Sequence, residues 1–259
     1  MFFVLSLVCC NNNDEIIQEN QQILQNLEPD KAYAHYIEFP NLGVSLQPSW
    51  YYTFNYESGR LVKMTGRSIH YQGIGYVFNS EPYYNLTYNN NKVEVKDSQS
   101  PYTSKVYTIE NNKPIQSVSY NHNPNGDEVY KTTTYTYEMN KIVVYESIYN
   151  GNMETYTTYF FDVNKNLIKS EKLEKSQGVN KRLKTTNYLN FDNAKNPYKK
   201  LGLVNENFYE KSLSTNNYRK IEGTTQEFDN PNQFPPGNFN AQWSYQYDQN
   251  GQVLLYHPL

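Results

Sequence analysis

From about residue 33 onward, apolar and polar positions alternate in short runs, and clusters of Asn, Gly, Asp and Lys separate the runs. A period of two places residues i and i+2 on one face of a strand. One unit recurs: an aromatic, a polar residue and an aromatic, then three or four turn residues, then an aliphatic run. Tyr52-Thr53-Phe54-Asn55-Tyr56 leads through Glu57-Ser58-Gly59-Arg60 to Leu61-Val62. Tyr84 to Tyr88 leads through Asn89-Asn90-Asn91-Lys92 to Val93-Glu94-Val95. Val106 to Ile109 leads through Glu110-Asn111-Asn112-Lys113 to Pro114-Ile115. The same sequence of events joins Tyr135-Thr136-Tyr137 to Ile142-Val143-Val144, and Tyr159-Phe160-Phe161 to Leu167-Ile168. Near the end, Tyr245-Gln246-Tyr247 leads through Asp248-Gln249-Asn250-Gly251 to Val253-Leu254.

Each unit is a hairpin signature. Asn and Gly reach positive φ at little cost, and the aliphatic run returns antiparallel. The expected fold is therefore all-β: an antiparallel meander of successive hairpins forming a curved open sheet or half-barrel. Spacing between units varies, with the widest gap late in the chain, so the loops between hairpins differ. Residues 230–240 hold three prolines, which exclude a central strand and predict a surface loop before the last hairpin. No Ser/Gly linker breaks the body, so residues 33–259 read as a single β-hairpin-repeat domain. Ahead of it, Ile16, Ile17, Ile23, Leu24 and Leu27 approximate one helical face, Asp14 can cap it and Pro29 ends it. Residues 11–32 are thus expected to form a tether with a short helix.

Composition agrees with this fold. There are 27 Tyr against 12 Phe and 2 Trp, and Tyr suits a pleated, half-wet surface. A mean hydropathy of -0.84 would fit a disordered chain, but 16% aromatic residues argue against that. The net charge of -3 is spread over interspersed charges of both signs, without the basic patch that nucleic acid would require.

The amino terminus carries a different signal. Residues 2–8, Phe-Phe-Val-Leu-Ser-Leu-Val, are too short to span a bilayer, which takes about twenty residues, but long enough for a signal-peptide core. Cys9 and Cys10 follow, the only cysteines in the chain, and then Asn11-Asn12-Asn13-Asp14-Glu15. A buried apolar strand carrying two inert thiols is the competing interpretation, and an abrupt turn into Asn-Asn-Asn-Asp-Glu counts against it. No Lys or Arg precedes Phe2.

Leu7-Val8-Cys9-Cys10 resembles the Leu-x-small-Cys box of bacterial lipoproteins, and the polar and acidic residues after it resemble the surface-export signal of Bacteroidota lipoproteins. That resemblance implies that residues 1–10 are a lipoprotein signal with Cys10 lipidated. It implies an outer-membrane lipoprotein facing the periplasm or the cell surface, with the membrane as its partner. The hairpin units resemble the YD-repeat, RHS-like proteins. Tyr245-Gln246-Tyr247-Asp248-Gln249-Asn250-Gly251 matches their hallmark, and Phe161-Asp162 and Phe191-Asp192 keep the aromatic-Asp step. The stretch from Tyr188 to Tyr198 is similar to a segment of small Bacteroidota lipoproteins of the uncharacterised DUF4595-like type. Most units lack the Asp or the Gly, which speaks against the regular spiral shell of the large RHS toxins.

Candidate chemistry is sparse. His35, His70, His122 and His257 show no metal-ligand spacing. Asp162-Val163-Asn164-Lys165-Asn166 starts like an EF-hand loop, but Leu167 stands where the invariant Gly belongs and Leu173 where the bidentate acid belongs. No nucleophile motif or phosphate-cradling loop is present, so no cofactor, metal or catalytic residue is expected. Asp127, Glu128, Glu146 and Glu154 are the carboxylates that could pair across strands for hydrolysis of glycan or peptidoglycan. The aromatics Trp50, Tyr52, Tyr84, Trp243 and Tyr245 are candidate stacking platforms, since such rings serve interfaces well, and the competing interpretation is that they simply pack the sheet and pair across strands. The expectation is a lipid-anchored, non-enzymatic binding or scaffolding protein whose ligand is a glycan or another surface protein. A hydrolase and a hydrophobic-ligand carrier are the alternatives.

Acyl chains attach through buried methylenes worth ~0.8 kcal/mol each. Cys10→Ala should therefore move the protein from the membrane fraction to the soluble fraction. A mutant that stays with membranes removes the anchor assignment.

Overall fold

The computed structural model describes residues 27–40, 43–229 and 236–258. Its body is one antiparallel sheet of 14 strands in sequence order. The elements are β1 (Lys31–Tyr33), α1 (Ala34–Glu38), β2 (Tyr51–Glu57), β3 (Arg60–Tyr71), β4 (Gly75–Asn89), β5 (Lys92–Asp97) and β6 (Thr103–Glu110). β7 (Lys113–Asn123), β8 (Gly126–Tyr137), β9 (Lys141–Ile148), β10 (Met153–Phe161), β11 (Leu167–Ser176) and β12 (Val179–Leu189) follow. A 3-10 turn (Lys199–Leu201), α2 (Glu206–Leu213), β13 (Lys220–Glu227) and β14 (Gly237–Gln242) come next. The chain ends in a small separate hairpin, β15 (Gln246–Tyr247) and β16 (Val253–Leu254).

All six expected hairpins form: β2–β3, β4–β5, β6–β7, β8–β9, β10–β11 and β15–β16. The turn chemistry works as the residue types dictate. Asn111 and Asn112 both take positive φ, 49° and 60°, as a two-residue type I′ turn requires. The aromatic-Asp units share a second device. The Asp162 carboxylate accepts the Asn166 amide at 2.8 Å, and the Asp248 carboxylate accepts the Gln252 amide at 2.8 Å. Each Asp thus closes its own turn. At Asp192 the same residue instead accepts the backbone amides of Ala194 and Asn217, both at 3.1 Å, and pins a loop.

The sheet is open. β1 and β14 do not pair, and the C-terminal segment crosses between these edges. The Trp243 amide bonds to the Arg219 carbonyl at 3.0 Å, while the Tyr33 amide on β1 bonds to the Leu255 carbonyl at 2.8 Å. Tyr33, Tyr36, Phe39, Trp243 and Tyr245 pack together where the segment crosses.

The all-β fold carries two short helices, α1 and α2, and α2 falls in the widest gap between hairpin units. Two boundaries need correction. Sheet pairing begins at Lys31. Within residues 230–240, Gly237–Gln242 forms the edge strand β14 and not a loop, because the prolines precede the strand and leave its amides free to pair. Residues 230–235 lie outside the described residues, as does the expected helix apart from Leu27 and Glu28.

Alternation sorts the two faces. The concave face carries Tyr107, Tyr135, Tyr159 and Tyr188, each at most 8% exposed, among the small residues Ser117, Ser119, Thr133, Thr157, Ser170 and Thr186. The convex face carries charges: Glu94–Lys96, Lys169–Glu171 and Lys220–Glu222 form i,i+2 ion pairs at 3.2, 2.7 and 2.8 Å.

Gly223 on β13 marks the tightest contact. A Cβ there would meet the Thr185 carbonyl oxygen at 1.9 Å and the Phe239 ring at 2.7 Å. Gly223→Ala should cost about 1–3 kcal/mol through overpacking, read as a lower midpoint in denaturant unfolding. An unchanged midpoint would show that the β12–β13 spacing is looser than described.

Candidate functional site

The hairpin turns at one end of the sheet form a rim, and α2 with the 3-10 turn lies opposite them. Between them is a groove of about 1150 Å³. That exceeds the ~300–1,000 Å³ of ordinary small-molecule pockets. Its floor is apolar and half-buried: Tyr88, Ile109, Tyr137, Ile142 and Phe161 from the strands, and Leu203 and Leu213 from the helical side. These are the partly wet members of the core, left uncovered where the sheet outruns the helix.

The rim is basic. Arg60, Lys113, Lys141, Lys165, Lys199 and Lys200 line the groove, against the single carboxylate Glu138. Glu138 is paired with Lys141 at 3.2 Å, and Lys200 is paired with Glu28. The other four have no carboxylate partner among the described residues. Arg60 lies over the Tyr88 ring at 5.3 Å and Lys113 over the Tyr137 ring at 5.0 Å, so their charge is steered but not neutralised. The Lys165 and Lys199 ammonium groups donate to the carbonyls of Met139 and Leu213 at 2.9 and 3.0 Å. Burial pulls the Lys199 pKa down to about 8, so the group remains mostly cationic at neutral pH.

The helical wall is held by specific contacts. The Asn205 side chain caps α2 by accepting the Phe208 amide at 3.1 Å. Tyr209 inserts between Tyr135 and Tyr159, with ring centroids 5.1 and 6.1 Å away, and its hydroxyl meets that of Tyr137 at 3.2 Å. At the helix start, Glu206 accepts from Lys105 and Lys131, each at 2.9 Å, and Lys131 also pairs with Glu146 at 2.6 Å. The two lysine side chains are only 15% and 16% exposed while that of Glu206 is 53% exposed, so the network runs from the concave face out to solvent. Burial pushes the Glu206 carboxyl up, but the two ammonium groups outweigh it and hold the group well below the carboxylate range.

The expected stacking aromatics fall elsewhere. Tyr52 is 3% exposed, donates to Glu38 at 2.5 Å and accepts the Ser68 amide at 3.0 Å. Trp243 and Tyr245, each 8% exposed, pack against Phe39 under the crossing segment. Trp50 is half-buried and stacks on Phe78 at 6.4 Å. Tyr84 is half-buried, and its hydroxyl accepts from Arg67 at 2.9 Å. The core uses the rings of Tyr52, Trp243 and Tyr245, which leaves no face for a ligand to stack on. Cys10 lies outside the described residues.

The carboxylates do not converge. Asp127 is 2.8 Å from His122, Glu146 serves Lys131, and Glu154 accepts from Tyr145 and Tyr156 at 2.7 and 3.1 Å. Among the described residues no three His, Cys, Asp or Glu cluster to hold a metal ion.

Sequence reasoning missed the groove's basic rim and its helical wall. The wall did leave a signal: Asn205 before Glu206, with Val204, Phe208, Tyr209 and Leu213 at helical spacing. The hairpin side of the rim left a signal too, since the turns of successive units carry Arg60, Lys113, Lys141 and Lys165 and a meander sets those turns at one end of the sheet; Lys199, on the helical side, left none.

No protein-family model and no curated protein matches this chain. Among solved structures, the chain is similar to a porin-like protein from Bacteroides vulgatus ATCC 8482. The TM-score is 0.50 at 13% identity, over 73% of this chain and 88% of that one. The likeness is one of fold.

A carboxyl whose folded pKa is depressed stabilises the fold above its unfolded value of about 4.3, and that stability is lost as pH falls through the folded value. Glu206→Gln should therefore flatten the acid side of a stability–pH curve below about pH 4.5, most visibly at low salt. If wild type and variant fall in parallel on acidification, the Lys105–Glu206–Lys131 network does not contribute.

Proposed function

We propose that this chain is an exported, membrane-tethered binding protein that holds its ligand in the groove between the hairpin turns and α2. The carrying observation is the groove itself: a large, half-buried apolar floor under a rim with four uncompensated cations. A pocket of apolar lining with a few placed polar groups is the usual form of a ligand site. The single groove carboxylate is engaged by a lysine, which supports binding over acid-base hydrolysis.

The tether rests on the lipoprotein-like residues 7–10 and the polar stretch after them. Charged pairs on the convex face support a domain standing in water at the membrane and not one facing lipid, where each exposed Lys costs about 2–4 kcal/mol at mid-depth. The porin-like character of the fold neighbour is in keeping with a place at the outer membrane.

Hydrogen exchange tests this reading. The full chain, with and without a lipid and glycan extract of a Gram-negative envelope, should show added protection at residues 57–61, 110–114, 138–142 and 199–213. Exchange at those segments that no fraction slows would refute the groove as the binding site.

A further inference from the structure

Resting on the reading of the groove as a ligand site, we infer that its ligand is an anionic diacyl phospholipid, held with its acyl chains on the floor and its phosphate at the rim. Chemistry separates this class from others. Ile109, Ile142, Leu203 and Leu213 offer aliphatic surface, and of the floor's rings Tyr88 and Tyr137 already lie under Arg60 and Lys113, so neither presents a free face for a sugar. Acyl methylenes gain most from such a surface, because burial removes their whole apolar area from water. The volume of about 1150 Å³ suits a ligand larger than a single drug-sized molecule.

Charge complementarity selects the head. Arg60, Lys113 and Lys165 stand on the hairpin side and Lys199 on the helical side, so cations face the groove from both walls. Among the described residues none of the four has a carboxylate partner, whereas the lysines of the concave network do. Phosphate oxygens accept several charge-assisted hydrogen bonds at once, which one carboxylate head would not use as fully. A neutral or zwitterionic head would gain less from the same rim.

The test is native mass spectrometry of the full chain in a non-ionic detergent. The probes are dioleoyl phosphatidylglycerol, dioleoyl phosphatidylcholine, glycerol phosphate and an acidic oligosaccharide. We expect a one-to-one phosphatidylglycerol adduct at low micromolar lipid, about tenfold weaker phosphatidylcholine binding, and no retained adduct with the chainless probes. The triple variant Arg60→Gln, Lys113→Gln, Lys165→Gln should bring phosphatidylglycerol down to the phosphatidylcholine level. Ile142→Asn should weaken both lipids, with circular dichroism confirming its fold; if it fails to fold, the triple variant decides. Equal binding of the two lipids, adducts untouched by the triple variant, or retention of either chainless probe would overturn the assignment. Groove protection by an envelope fraction, together with no phosphatidylglycerol adduct, would overturn the lipid class and leave the groove reading standing.

Discussion

Every other feature follows from the need to cover one uninterrupted concave face. A meander of 14 strands makes a single sheet, and the only other sheet among the described residues is the two-stranded β15–β16 hairpin, which is too small to cover it. A face that large cannot stay wet while carrying Tyr107, Tyr135, Tyr159 and Tyr188. The chain resolves this with its own inserts. α2 lies on the tyrosines, and the C-terminal segment packs with α1 across the gap between the edge strands. Small Ser and Thr residues between the rings leave the depth that a helix needs, and Tyr209 fills that depth.

The same constraint explains why a groove exists. One helix of eight residues covers only part of the face. Where the helix stops, the strands continue to their turns, and core side chains such as Ile142 and Phe161 remain half-exposed. The turns beyond them must be polar to reverse the chain, and several carry Lys or Arg. An apolar floor beneath a basic rim is therefore a product of geometry: incomplete cover over the concave face, framed by its hairpin ends.

The helix also needs holding. Its first residue, Glu206, is clamped by lysines from β6 and β8, while its cap and its tyrosine fix rotation and depth. These contacts join distant parts of the chain, with Lys105 lying 101 residues from Glu206. They set the position of the groove's helical wall relative to its strand wall.

Much of the architecture was legible in the residue pattern. Alternation with Asn, Gly and Asp turns located six hairpins and their antiparallel sense, because strand period and turn chemistry act within a few residues. Tyr84, Tyr52 and Tyr245 could be placed on strands or at their ends for the same reason, but not assigned to solvent or core. Whether a ring on an alternating strand is buried depends on what covers that face, and here the cover comes from residues 34–39, 206–213 and 243–257. The groove, the lack of carboxylate partners for four of its cations among the described residues and the burial of Tyr52, Trp243 and Tyr245 were decided by tertiary structure alone, since each depends on contacts between segments far apart in the chain.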